Sequence, residues 1–281
     1  MAEAHHIFDR PVHVARRARA KGEALQLLMA RVAEDLSDRL AVINHSFAAA
    51  VLLGDALGAC ENALKASGKC LKINSLQQSA DDALRVAPAS VDAVFSILDL
   101  QTINDVPGHL AQAARALRPD GLALFVFFGG ESCRELREAW LAAESELTGG
   151  ASPRVAPMID LRETGSLLQR AGLALPVADS DRLTLRYGSA LSLMQDIHAT
   201  GFSNCLEGRS RNFVSRRFIG RVAEIYHQRF ADADGKVRAT LDLCWALAWK
   251  PHPSQPKPLK PGSGKVSLAD VLAPGKGRPG A

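Results

Sequence analysis

The sequence predicts an α/β fold, a mainly parallel sheet wound on both faces by helices. Three observations carry that expectation. Short, nearly continuous apolar runs at Phe47 to Leu53, Val91 to Leu98 and Leu122 to Phe128 have the length and composition of strands buried on both faces. Helical patterns alternate with them, and parallel strands need crossover connections that helices usually supply. Turn-forming stretches such as Ala87-Pro88-Ala89-Ser90 and Arg118-Pro119-Asp120-Gly121 separate the two kinds of element.

Taken in order, Leu25, Leu28, Val32, Leu36 and Leu40 recur at three- and four-residue steps, the period of an amphipathic helix that packs on the neighbouring domain. Before it, Arg16, Arg17, Arg19 and Lys21 form a basic cluster, read as one solvated helix face, with a transit peptide or an anionic partner as alternatives. Phe47 to Leu53 is the first strand, and a helix is expected over Ala59 to Ser67. A short strand at Lys69 to Asn74 and a stronger one at Val91 to Leu98 come next. His109 to Leu117 is a helix stopped by the turn chemistry of 118–121, and Leu122 to Phe128 is the next buried strand. Glu131 to Leu147, Leu161 to Ala171, Leu191 to Thr200 and Phe218 to Phe230 are expected helices, and Arg182 to Tyr187 and Ala239 to Lys250 late strands. The organisation expected is an N-terminal helical segment (1–45), one domain (46–250) and an irregular tail rich in Pro, Gly and Lys (251–281).

Composition excludes several classes. At 281 residues, with 47% hydrophobic and 23% charged side chains, the chain has the make-up of a globular protein with a sizeable core. Its apolar runs are far shorter than the roughly 18 to 20 residues a membrane-spanning helix needs, so no span is expected. His5, His6 and Asp9 stand where a secretory leader would place apolar residues, which points to the cytoplasm. A net charge of +4, with both signs mixed along the chain, gives no basic groove and no expectation of nucleic acid. Five scattered cysteines, none with zinc-ligand spacing, suit reduced, buried thiols.

The segment Val51-Leu52-Leu53-Gly54-Asp55-Ala56-Leu57-Gly58 lies between the first strand and a helix, where a glycine-rich loop lets the backbone approach a ligand. An ordinary turn is the competing reading of two glycines alone. Asp81 and Asp82 suit an adenine or ribose, or equally a helix N-terminus. Asp99 ends a buried strand in the expected crevice. His109 and His198 lack metal-ligand spacing and a catalytic partner, and the tryptophans Trp140, Trp245 and Trp249 are expected in the core or at an interface.

A longer series of motifs is more specific: Ile7-Phe8-Asp9-Arg10, Ile103-Asn104-Asp105-Val106-Pro107, Leu117-Arg118-Pro119-Asp120-Gly121 and Phe128-Gly129-Gly130-Glu131. It continues with Glu135-Leu136-Arg137, Gly149 to Arg154, Leu168 to Gly172 and His252-Pro253-Ser254-Gln255. From Ile7 to about Leu272 the chain resembles the BioC-like class I methyltransferases, most closely the branch that contains the respiratory complex I assembly factor hydroxylating an arginine. The resemblance implies a Rossmann-like sheet and S-adenosylmethionine as cofactor. It places Gly54, Gly58, Asp81, Asp82, Ala83, Leu98 and Asp99 around that cofactor, and Gly129, Gly130, Glu131 and Arg154 on the side of an acceptor or protein partner. No catalytic residue is singled out.

Departures from the family pattern concentrate on the cofactor side. Leu52 stands where an acid usually precedes the first glycine, and Asp55 falls on the wrong side of Gly54 to replace it. Roughly 22 residues separate Gly58 from Asp81, while a βαβ unit takes about thirty, so an element is shortened or lost and only Asn74 remains for the ribose. Gln101 and Thr102 replace an aromatic His-Trp pair. The expectation is therefore weak or absent binding of S-adenosylmethionine. Two functions stay open: a methyltransferase-family enzyme acting on a protein or small acceptor, by methyl transfer or arginine hydroxylation, and a pseudoenzyme serving as a binding or respiratory-complex assembly module.

Overall fold

A computed structural model describes residues 6–150, 152–211, 213–256 and 263. The expectation of an irregular tail falls mostly outside the described residues. The elements run in the order α1 (Arg10–Arg19), α2 (Glu23–Val42), β1 (Phe47–Leu53), α3 (Ala59–Ala66), β2 (Cys70–Leu76), β3 (Val91–Ile97), α4 (Val106–Ala116), β4 (Leu117–Phe128), α5 (Arg134–Thr148), α6 (Leu161–Arg170), β5 (Ala174–Tyr187), α7 (Ala190–Ala199), α8 (Arg216–Phe230) and β6 (Val237–Trp249).

One sheet has the order β2-β1-β3-β4-β6-β5. The first four strands are mutually parallel, and β6 enters antiparallel between β4 and β5. Successive side chains of a strand face opposite ways, and the sequence uses both faces. Leu52, Phe95, Leu124 and Val126 join Leu25, Met29 and Leu36 of α2 in one core. Val51, Val94, Phe125 and Phe127 join Leu110 of α4 and Leu168 of α6 in the other. The doubly wound arrangement therefore results from strands that are apolar at nearly every position. A third cluster packs α5, α7 and α8 together beside the start of β6.

The turn chemistry at 118–121 does end α4 at Ala116, yet the chain stays in the sheet. Asp120 N–H donates to the Lys250 carbonyl and Lys250 N–H to the Gly121 carbonyl, so β4 begins at Leu117 through a bulge. No helix or strand is formed between β2 and β3, so after the short α3 and β2 the crossover over β1 is made by residues 77–90 alone.

The basic N-terminal cluster is not a solvated face. α1, capped by Asp9 with Pro11 in its first turn, buries Arg10, His13 and Arg17, one stripe at helical spacing. Arg17 donates to the Thr200 carbonyl and lies 4.3 Å over the Phe202 ring, and Arg16 donates to the carbonyls of Ser203 and Asn204. Only Arg19 of the three clustered arginines in α1 is exposed. The helix docks through guanidinium groups rather than aliphatic side chains, which hides the contact from a hydropathy pattern.

The five cysteines are free, four of them buried. Burial pushes the Cys70 thiol up to about 11, and no group of three or more His, Cys, Asp or Glu among the described residues could hold a metal. No helix among them is long and apolar enough to cross a membrane.

Candidate functional site

Open α/β sheets bind ligands beyond the carboxyl ends of their strands, and the structure gathers most of the expected residues there. Gly54 closes β1 at a φ of +79°, and a Cβ on it would stand 2.0 Å from the Ile97 carbonyl oxygen. Glycine alone lets β1 and β3 end so close together. Gly58 caps α3 in a left-handed conformation. Between them Asp55 turns its carboxylate onto the start of α3, where Oδ2 accepts a 2.8 Å hydrogen bond from Glu61 N–H. The positive helix terminus that would attract an anionic ligand thus already faces an acid of its own. Leu52, 1% exposed, is packed into the core beneath α2.

Asp81 and Asp82 diverge. Asp81 faces solvent, where the Ser79 hydroxyl, Arg85 and Ala83 N–H pull its carboxyl down to about 2, with Arg85 Nη2 at 2.5 Å. Ala83 therefore serves to close this turn. Asp82 instead points inward from a left-handed backbone position, φ +60°. Its Oδ2 accepts from Asn104 N–H at 2.8 Å, its Oδ1 lies 2.8 Å from Arg10 Nε, and its carbonyl meets His109 Nδ1 at 3.1 Å. His109 thus has a structural partner. Asn74 is exposed on the edge strand β2.

Leu98, also left-handed, donates its N–H to Val126 and accepts from Gln101 Nε2 at 2.9 Å. Asp99 is 1% exposed, and its Oδ1 receives Arg10 Nη1 at 2.8 Å and Gln78 Nε2 at 2.9 Å. Arg10 is the hub. Besides its two carboxylates it donates to Thr102 Oγ1 at 2.6 Å and to the Ser79 carbonyl at 3.0 Å. Its forked donors match this ring of acceptors, and a lysine could not reach them all. The loops after β2 and β3 and the first turn of α1 are tied by one guanidinium.

On the far side of β4, Gly129 lies where a Cβ would fall 2.4 Å from Cys244 Sγ, so β4 and β6 stay in contact at their ends. Gly130 is exposed, and Glu131 forms a partly exposed ion pair with Arg134 at 2.9 Å. Arg154 is turned inward. It clamps Glu144 through Nε and Nη2 at 2.9 and 2.7 Å and lies 5.1 Å over Trp140. Burial works to raise the Glu144 carboxyl, but Ser152 and Arg154 outweigh it and hold the group below its ordinary value.

Asp82 and Asp99 meet at Arg10, Asp99 also reaches the end of β1 through Gln78 beside Gly54, and Asp81 with Ala83 lines a cleft that extends to Leu53. Sequence reasoning missed Arg10 and Gln78 as members of the site, and placed Thr102 beside it only as a replacement for an aromatic residue. Arg10 was visible within Ile7-Phe8-Asp9-Arg10, but nothing in its spacing indicated burial against acids about 70 to 90 residues away.

Comparison with known proteins agrees with this geometry. A family model described as a methyltransferase domain matches residues 55–125, beginning just after β1 and Gly54. The arginine-hydroxylase NDUFAF5, mitochondrial, of Danio rerio is 38% identical over 66% of this chain and 57% of its own length, and that of Homo sapiens 34% identical over 77% and 64%. A malonyl-[acyl-carrier protein] O-methyltransferase of Methylovorus sp. (strain MP688) is 33% identical over 70% of this chain and 60% of its own. The chain thus spans somewhat more than half the length of these relatives. A Bacillus halodurans crystal structure described as a candidate methyltransferase superposes with a TM-score of 0.52 at 14% identity, covering 78% of this chain and 99% of that one, which supports the fold. The protein carries a methyltransferase domain of the class I fold and is a homologue of these arginine-hydroxylase and O-methyltransferase relatives.

Proposed function

We propose that this chain is a binding or assembly module of the methyltransferase fold, with little or no affinity for S-adenosylmethionine. The observation that carries the reading is Arg10: a guanidinium 2% exposed, ion-paired at 2.8 Å with both Asp82 and Asp99, two of the acids expected to serve the cofactor. A cofactor that used those carboxylates would first have to displace a buried cation, and truncating one member of such a pair is worth roughly 3 to 5 kcal/mol. Leu52 offers no acceptor, Asp55 opposes an anion at α3, and residues 77–90 supply no further strand beyond β2. These residues fit S-adenosylmethionine poorly.

The ligand of such a module is then a protein. Some of the relatives are named for an acyl-carrier-protein substrate or for arginine hydroxylation; by the resemblance the partner is a respiratory-complex subunit, met in the cytoplasm through the surface around Gly130 and Glu131. An enzymatic reading, methyl transfer or arginine hydroxylation, is favoured by one feature: Gly54 and Gly58 both keep positive φ in the loop leading into α3.

Calorimetric titration of the full chain with S-adenosylmethionine and S-adenosylhomocysteine separates the two. The expected result is no binding tighter than on the order of 100 µM, since each lost charge-assisted hydrogen bond removes one to two decades of affinity. Low-micromolar binding of either compound overturns the proposal.

A further inference from the structure

A cavity of about 180 Å³ lies beside the cofactor region, between α1, the end of β4, α7 and the start of β6. Its walls are mainly apolar, with Phe128, Met158, Leu193 and Phe202 among them. Among the polar side chains that interrupt them, two stand out. His13 is 1% exposed, and neither ring nitrogen has a hydrogen-bond partner. Gln101 is 3% exposed; its Nε2 is held by the Leu98 carbonyl, which leaves Oε1 without a donor.

Buried polar groups are normally satisfied, and leaving one unsatisfied forfeits its hydration without return. Two such side chains lining one cavity point to a guest. Burial, reinforced by the neighbouring Arg10 charge, holds the His13 imidazole down to about 3, so the ring is neutral and offers one N–H donor and one acceptor. A hydroxyl, which donates and accepts at once, matches that pair together with the Gln101 oxygen.

Size and charge narrow the guest further. A dry cavity of about 150 Å³ in another protein holds benzene, so this one admits a single ring with small substituents. A cation is disfavoured by Arg10 and Arg17, both of which act on His13. A carboxylate would face Asp196 on the cavity wall, where Arg154 is already paired with Glu144 and Arg10 with Asp82 and Asp99.

We infer that this cavity binds a small neutral ring compound carrying a hydroxyl, a phenol in size and polarity, whose hydroxyl exchanges hydrogen bonds with His13 and Gln101. The inference does not depend on whether S-adenosylmethionine binds.

The test uses the full chain with p-cresol, toluene and benzylamine at pH 7.5, monitored by ligand-observed NMR titration. p-Cresol is expected to bind saturably at one site, toluene about tenfold more weakly for want of the hydroxyl's bonds, and benzylamine not at all. His13→Phe should bring the affinities of p-cresol and toluene together, and Ala156→Phe, which fills the cavity, should abolish both. Should either variant fold poorly, intermolecular NOEs from p-cresol to the methyl groups of Leu193 and Ile197 in the unmodified chain decide the location. Absence of saturable p-cresol binding, equal affinity for p-cresol and toluene, preferential binding of benzylamine, or NOEs to other residues would each overturn the inference.

Discussion

Replacing Arg10 by Met is the sharpest perturbation of this architecture. The side chain keeps much of its length and loses its charge, leaving Asp99 buried at 1% exposure with Gln78 Nε2 as its remaining side-chain donor. Asp82 keeps the Asn104 N–H, and the Thr102 hydroxyl and Ser79 carbonyl each lose a guanidinium donor. Breaking a buried ion pair from one side costs roughly 3 to 5 kcal/mol, because the abandoned charge has no compensation. Since about 1 kcal/mol moves the midpoint of a domain of this size by roughly 2 to 4 °C, Arg10→Met should lower Tm by about 6 to 20 °C. Thermal unfolding monitored by tryptophan fluorescence reports the midpoint and urea unfolding the free energy, with the buried Trp245 as probe. Adding Asp99→Asn to the variant removes the stranded charge and should return a measurable part of the loss. If Arg10→Met costs less than about 1 kcal/mol, or if Asp99→Asn deepens the defect, Arg10 is not the tie described.

Single contacts carry further expectations. Gly54→Ala places a methyl 2.0 Å from the Ile97 carbonyl at a φ of +79°, and should destabilise by at least about 2 kcal/mol in urea melts. Arg154→Gln leaves Glu144, 4% exposed, without its cation and should cost about 2 to 4 kcal/mol, while Glu131→Gln, in a partly exposed pair, should stay within about 0.5 kcal/mol; a reversed order in denaturation midpoints would contradict the placement of the two pairs. His13 is held down to about 3 in the folded chain against an ordinary 6.5, so the unfolded chain binds its proton first. Stability is then full above pH 6.5 and falls by up to about 1.4 kcal/mol per pH unit on acidification toward 3. Between pH 6.5 and 5 that slope should flatten in His13→Phe, and an unchanged slope in urea midpoints would assign the dependence to other groups.

How much of this was legible in the sequence differs between sheet and site. The strands β1, β3 and β4 are apolar at nearly every position because both faces carry helices, and a run of that kind announces itself locally. β5 was only half visible. Its burial alternates along an edge in two runs that change phase at Asp179 and Ser180, and only Arg182 to Tyr187 alternates clearly in hydropathy, so the stretch from Ala174 shows its pairing with β6 only in three dimensions. That an element is shortened or lost between Gly58 and Asp81 was legible as arithmetic, since chain length bounds what a connection can contain whatever its sequence, but which element it was shows only in the structure, where no helix forms between β2 and β3.

The site resists the same treatment because its decisive contacts are ionic and distant in sequence. A hydropathy stripe cannot register Arg10, His13 and Arg17, which score as surface residues and are buried by the partners they find: Asp82 and Asp99 for the first, the Thr200 carbonyl and the Phe202 ring for the third. His13, between them, finds no such partner and stays neutral instead. The two acids at the strand ends were identified by their positions, yet position alone could not say whether a cofactor or a guanidinium meets them. Charge balance supplies the missing step. Asp99 at 1% exposure needs a cation or several donors within hydrogen-bond reach whichever role it plays, and the Ile7-Phe8-Asp9-Arg10 segment brings the cation from the same chain. The departures at Leu52 and Asp55 and the inward turn of Arg10 then have one physical sense: at the carboxyl ends of β1 and β3 the protein's own charges are paired with one another, while the cavity next to them keeps polar groups that the chain itself does not satisfy.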